Sequence, residues 1–356
     1  MKEKSFADLD ANYRSPKIGN RELEFHDAFA APFVLCGLPY VDAEGHRSRL
    51  PLEVARQCLQ ESVLPMSRQT AGAIIRFRTN SPYVGIRAAF DEVWLGVNYG
   101  GSGGFDLYTG NGANSRFCGN RAVQSAVDFF EALFEPGLPG ADGMHDCTLY
   151  LPYHCAVSAL TVGLVPGSAV EAPRPFRIEK PVVFYGSSIT NCASAARPSM
   201  LYPSIIARMM DFNHINMGFA GSCCGELPIA DTIIDVDPSV LVMEFDHNAP
   251  TPEFLAAHHE PFFRRFRAGR PQTPVLMMSM CDFTPTENKL KRRAIIMRTY
   301  LNAFESGDRF VDFLDGETLF AGMGREECTQ DTCHPNDYGC MVMAKRIADR
   351  LQRWLR

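Results

Sequence analysis

The chain has 356 residues, 46% hydrophobic and 21% charged, which is ample for two cores and too much for one ordinary domain. A net charge of −6 and an isoelectric point of about 5.9 exclude the basic face that nucleic acid needs; the short cluster Lys289, Lys291, Arg292 and Arg293 reads as the wet face of a helix. No run reaches the ~18 apolar residues of a spanning helix, and Met1–Asn20 has no apolar leader core, so a soluble, cytoplasmic protein without a membrane partner is expected.

From about Gln69 to Val165 the pattern is one of short strands separated by turn residues. Strands are predicted at 72–78 and 83–90, flanking the turn at Thr79–Pro82, and at 93–99, 105–109, 147–153 and 156–165. The glycines at 100, 101, 103 and 104 read as a hairpin turn, and 120–136 as one inserted helix or loop. Strands at this spacing, rich in Val, Ile, Tyr and Phe, predict an antiparallel β-sandwich of jelly-roll type over residues 1–170. Pro166, Gly167 and the prolines at 173 and 175 mark a linker over 166–179.

From 178 to 356 strands and helices alternate. Strands are predicted at 181–185, 214–218, 239–245, 274–280 and 309–313. Helices are predicted at 199–210, 252–266 (with Pro261 as a candidate break), 288–304 and 337–355. The 239–245 run is nearly all apolar, as in a strand buried on both faces. The alternation implies an α/β fold: a three-layer αβα sandwich around a parallel five-stranded sheet of flavodoxin-like order 2-1-3-4-5.

Ligands of such sheets collect beyond the carboxyl ends of the strands. The loops there carry Gly186-Ser187-Ser188-Ile189-Thr190, then Gly218 to Ser222, then Asp246-His247-Asn248-Ala249-Pro250, and finally Asp331-Thr332-Cys333-His334-Pro335-Asn336. Acyl transfer needs this set. A serine hydroxyl requires an imidazole to take its proton, so Ser188 is the candidate nucleophile and His334 its base. Asp331, three residues earlier, is placed to accept the Nδ1 proton and fix the tautomer. The Ser188 N–H, the Gly221 N–H and the Asn248 amide are candidate oxyanion donors, glycine leaving room for substrate. Each motif alone has a plainer meaning: a helix cap at Ser188 or Asn248, a turn at Gly221, a helix start at His334-Pro335 with Asn336 or Asp337 as cap. Their order along one sheet edge gives them weight together. The absence of a G-x-S-x-G elbow argues against the α/β-hydrolase arrangement.

At these residues the sequence resembles the SGNH (GDSL-like) hydrolases, whose four blocks contribute Ser188, Gly221, Asn248 and His334, with Asp331 in the Asp-x-x-His-Pro block. It is most similar to a two-domain subgroup with a Gly-x-Asp-Leu-Tyr signature, here Gly104-Phe105-Asp106-Leu107-Tyr108. Two positions depart from the general pattern. Ser187 replaces the usual Asp before the nucleophile, and Asp246-His247-Asn248-Ala249 replaces Gly-x-Asn-Asp. The resemblance implies a serine esterase acting on small acyl esters, often acetyl groups on sugars, with a small-molecule substrate and no metal or cofactor. A thioesterase, a lysophospholipase-type acyl hydrolase and an inactive carbohydrate-binding protein are the alternatives. Candidate substrate contacts are Arg197, Phe219, His247 and Trp94. Arg197 either lines the cleft or pairs with a surface carboxylate. Trp94 reads first as sandwich core and second as a sugar-stacking platform. The 12 cysteines read as reduced thiols, and Cys328, Cys333 and Cys340 around His334 match no paired zinc-ligand spacing.

Overall fold

The computed structural model describes residues 17–355 except 97, 192, 193, 282, 283 and 323, so most of Met1–Asn20, and Cys192 and Ala193 of the loop after Thr190, lie outside the described residues. The N-terminal half is built on two antiparallel sheets. One runs Arg116–Ala122, Gly104–Thr109, His145–Tyr150, Ile74–Thr79 and Val170–Glu171, with Val34–Cys36 also on Ile74–Thr79. The other runs Phe129–Phe134, Val84–Val93, Cys155–Leu164 and Glu24–Asp27. Alternate residues of each strand point between the sheets: Ile75, Phe77, Phe105, Leu107, Cys147 and Leu149 meet Ile86, Ala88, Phe134 and Val162 in a dry core.

Three expectations change here. Residues 120–136 contribute to two strands rather than a helix or loop, because Ala132 and Phe134 alternate into the core. The strand expected at 93–99 is the tail of Val84–Val93 and stops there. The glycines at 100–104 do not form a hairpin: Gly100 and Gly101 lie in a single helical turn, Tyr99–Ser102, Gly103 follows it and Gly104 opens the strand Gly104–Thr109. They are small because of packing: a Cβ on Gly101 would enter the Tyr153 ring, and one on Gly104 the Gly100 carbonyl.

The C-terminal half holds a parallel sheet of β1 (Ile178–Gly186), β2 (Phe212–Gly218), β3 (Val240–Glu244), β4 (Val275–Met278) and β5 (Val311–Leu314), in the order β2-β1-β3-β4-β5. Along β1, Val182 and Phe184 face one layer and Val183 and Tyr185 the other, so beyond the exposed Glu179 and Lys180 at its start the strand is apolar on both faces. Helices α1 (Ser188–Asn191), α2 (Tyr202–Met210) and α6 (Asp337–Leu351) cover the first face. Helices α3 (Leu227–Val236), α4 (Pro252–Gly269) and α5 (Glu287–Glu305) cover the second. The chain is therefore an αβα sandwich preceded by a β-sandwich. α4 continues through Pro261. α3 went unread in the sequence because Pro228 looks like a loop residue, yet proline fits a helix's first turn.

The two halves pack closely. Leu50, Ala55, Val63 and Met66, from the partly helical segment between the strands Val34–Cys36 and Ile74–Thr79, sit in the core against α3 and the sheet. The outer face of the first sandwich sheet meets α2, where the Arg208 guanidinium covers the Tyr108 ring at 4.5 Å and donates to Tyr150 Oη at 3.1 Å. Among the described residues no helix is long and apolar enough to cross a membrane.

Candidate active site

Strand register brings the site together. Gly186 lies opposite Gly218 on β2 and Glu244 on β3. The ladder runs one residue further, with Ser187 N–H donating to the Glu244 carbonyl and Phe219 N–H to the Gly186 carbonyl, both at 2.9 Å. Three loops thus leave the sheet at one level. A Cβ on Gly186 would strike Thr190 Oγ1 and the Glu244 carbonyl, and one on Gly218 would strike Asn191, so the tight turn into α1 demands glycine at both places.

Ser188 opens α1, and its Oγ lies 2.9 Å from His334 Nε2. His334 Nδ1 lies 2.7 Å from Asp331 Oδ2. The other carboxylate oxygen accepts the N–H groups of His334 (2.7 Å) and Cys333 (3.1 Å), which folds Asp331–His334 into a closed turn. Thr332 sits inside that turn at φ +66°, a left-handed conformation strained for a β-branched residue. Burial pushes the Asp331 carboxyl upward, but the hydrogen bonds from His334 and Cys333 outweigh it and hold the group below its ordinary value. With Nδ1–H engaged by a carboxylate, Nε2 is left as an acceptor for the serine hydroxyl. Asn336 caps α6 by accepting Gly339 N–H at 3.1 Å.

Gly221 is exposed, with φ +71°. No atom comes within 4 Å of where its Cβ would be, so the backbone conformation demands glycine there, not crowding by the protein. Asn248 Oδ1 accepts Cys223 N–H at 3.1 Å. This ties the second loop to the third and leaves the Asn248 NH2 as the donating end of the amide.

Three buried ionisable side chains that the sequence reading did not assign to the site hold these loops from below. Arg49 donates to the carbonyls of Asn216 (2.9 Å) and Gly218 (2.7 Å), just before the Gly221 turn. Arg292 donates to the carbonyls of Asp246 (2.6 Å) and Ala249 (2.7 Å), on either side of Asn248; it is buried, so the cluster at 289–293 is not wholly a wet helix face. The Glu244 carboxylate lies under the turn that carries Ser188. Only Glu244 gave a sequence signal, as a carboxylate ending a fully apolar run.

Residues 179–356 match the GDSL-like lipase/acylhydrolase family model, and 23–170 match the GxDLY model, the N-terminus of SGNH-hydrolase-type esterases. The chain belongs to the GDSL-like lipase/acylhydrolase family. This SGNH hydrolase is an ester hydrolase. Among solved structures it is similar to a protein of Bacteroides ovatus described as a GDSL-like lipase, with 23% identity and TM-score 0.81 over 94% of this chain and 98% of that one. It is also similar to the salicylyl-acyltransferase SsfX3 from a tetracycline biosynthetic pathway (19%, 0.74, 93% and 96%). A third similar structure is the acetyl xylan esterase Est2A of the rumen bacterium Butyrivibrio proteoclasticus (12%, 0.58, 94% and 100%). At these identities the likeness is one of fold. No curated protein matches the chain in sequence.

The remaining candidates in the hydrolase separate clearly. Phe219 is fully buried under the Arg49 guanidinium and offers no surface to a substrate. Arg197 pairs with a carboxylate, but a buried one: its Nη1 reaches Asp106 Oδ2 at 3.3 Å and Tyr108 Oη at 3.1 Å, and its plane covers Phe117 at 3.9 Å. Asp106 also accepts Ser199 N–H (2.9 Å) and Asn120 Nδ2 (2.7 Å). The aspartate of the Gly104–Tyr108 signature thus fastens the sandwich to the loop after α1. Breaking such a buried pair from one side typically costs about 3–5 kcal/mol. His247 is half-buried, with Nδ1 3.7 Å from Cys333 Sγ, next to His334 in the chain. Trp94 is 53% exposed rather than core. Its ring lies 4.6 Å from that of His154, whose Nε2 is 3.3 Å from Asn191 Nδ2 at the end of α1. Burial and the Arg49 charge push His154 down to about 4, so it stays neutral near pH 7. Among the described residues, Glu244, Asp246 and His247, and separately Asp42, Glu44 and His46, are grouped closely enough to share a cation; neither group includes the cysteines around His334.

Proposed function

We propose that this enzyme removes small acyl groups, acetyl above all, from a carbohydrate ester through a Ser188–His334–Asp331 triad and an acyl-enzyme. The observation that carries the reading is the continuous hydrogen-bonded series from Ser188 Oγ through His334 to Asp331 at the rim of the parallel sheet. Ser188 Oγ attacks the ester carbonyl as its proton passes to His334 Nε2, and Asp331 stabilises the imidazolium. The tetrahedral oxyanion is met by the N–H of Ser188, the N–H of Gly221 and the Asn248 amide. As the ester C–O bond breaks, His334 gives its proton to the departing sugar oxygen to form the free hydroxyl, and water, activated by the same imidazole, then attacks the acyl-enzyme and releases the acid and Ser188. The described cysteines are all free thiols, as a reducing compartment keeps them, and we place the protein in the cytoplasm.

The sugar assignment is supported by the fold shared with an acetyl xylan esterase and with family two carbohydrate esterases, and by Trp94, an exposed aromatic packed on His154, which in turn reaches Asn191 at the end of the helix that starts at Ser188. Acetate release is expected from acetylated xylo-oligosaccharides in preference to short acyl-thioesters or lysophospholipids at equal concentration. Trp94→Ala should raise KM for the sugar ester and leave p-nitrophenyl acetate unaffected. Preference for thioester or lysophospholipid, or no turnover of any of them, would replace this reading with one of the alternatives. Asn248→Ala is expected to lower kcat by about 10²–10³ with little change in KM, the usual loss for one oxyanion donor; a loss under about tenfold removes Asn248 from that role.

A further inference from the structure

β3 ends in a carboxylate that no step above uses. Glu244 is 1% exposed and lies beneath the nucleophile turn. Both of its oxygens are 3.0 Å from Ser187 Oγ. Oε2 also takes Ser187 N–H at 3.2 Å and Thr190 Oγ1 at 2.9 Å. The turn is gripped one residue before Ser188 and two residues after it. The grip extends outward on both sides: Ser187 Oγ accepts Ile189 N–H at 3.0 Å, and Thr190 Oγ1 lies 2.8 Å from Tyr202 Oη. Glu244 touches no atom of Ser188 in this network, yet its partners determine where the Ser188 Cα–Cβ bond and N–H point.

We propose that Glu244 is a positioning residue for acyl transfer, holding Ser187 and Thr190 so that the Ser188 hydroxyl stays on His334 while its N–H faces the developing oxyanion. The proposal rests on Ser188 being the nucleophile. A buried acid here works best uncharged, since a negative charge under the turn would oppose the oxyanion. Burial, reinforced by the Asp246 carboxylate at the end of the same strand, raises Glu244 to about 8, against the hydrogen bonds from Thr190 and Ser187 that pull it down. The other titratable groups near it are His247 beyond Asp246, Cys223 in the loop after β2, and Tyr202 of α2 through Thr190.

The test is steady-state hydrolysis of p-nitrophenyl acetate by the full-length protein from neutral to alkaline pH, with Glu244→Ala, Glu244→Gln and Ser188→Ala side by side and melting curves for each. At neutral pH, Glu244→Ala should lose about 10² in kcat with KM nearly unchanged, as expected for a nucleophile set slightly off line. Glu244→Gln keeps a neutral hydrogen-bonding group, so it should stay within about tenfold of wild type. It should also lack the decline in kcat that wild type shows as Glu244 ionises above about pH 8. If Glu244→Ala does not fold, the Gln profile decides. Overturning results are a folded Ala variant with wild-type kcat, a Gln variant as impaired as Ala, or a Gln profile superimposable on wild type. Full activity in Ser188→Ala would instead remove the triad on which the proposal rests.

Discussion

Ser188→Ala is expected to lower kcat on an acetyl ester by roughly four to six orders of magnitude, the loss seen when the nucleophile of a serine triad is removed. Among the described residues, the neighbouring hydroxyls are committed elsewhere. Ser187, its neighbour, points into the sheet edge and is committed to Glu244, and Thr190 is held by Glu244 and Tyr202. The variant should fold normally. Ser188 Oγ contributes one hydrogen bond at a half-exposed position, worth only about 1 kcal/mol, and alanine is favourable in a helix's first turn. Steady-state kinetics paired with a thermal melt therefore separates the two effects. Residual turnover should reflect only binding and the oxyanion donors. Activity near wild type would show that another group attacks the ester.

The second large effect belongs to Asp331. Asp331→Asn is nearly isosteric, so the turn closed by the N–H groups of Cys333 and His334 can survive on the amide oxygen. The amide nitrogen then faces His334 Nδ1 and donates to it, which places the imidazole proton on Nε2. In that tautomer His334 cannot take the proton of Ser188. A loss of about 10³–10⁴ in kcat is expected, with KM nearly unchanged. The lower end is favoured because the Asp331 side chain is 51% exposed, so water can partly solvate the imidazolium. An unchanged kcat would mean that the Asp331–His334 contact is only a structural turn.

The strands of the parallel sheet were legible as mostly β-rich runs too short for a helix, separated by helical periodicity except between β2 and β3, where α3 was missed. The order 2-1-3-4-5 followed from that alternation. The contact between Ser188 and His334 was legible from fold logic: both residues follow strand ends on one edge. What escaped the sequence depends on partners distant in the chain. Arg49 stands far from Asn216 and Gly218, and nothing around it suggests that its guanidinium crosses into the other half. Arg292 sits among lysines and arginines of a surface helix, and only the fold turns it inward onto the loop of Asn248. Trp94 looked like core because aromatic residues in β-rich segments usually are, yet it lies just past the last residue of Val84–Val93, where the chain leaves the sheet. Phe219 shows the reverse: it follows β2 on the functional edge, but its side chain turns down into the layer under Arg49.

Reaction with a fluorophosphonate, followed by peptide mass mapping, tests the activated serine most directly, since the reagent captures a hydroxyl only where a base and an oxyanion pocket converge on it. A single adduct is expected, on the peptide that carries Ser188, and none in Ser188→Ala. An unmodified wild-type protein, or an adduct on a different residue with Ser188 untouched, would contradict the triad.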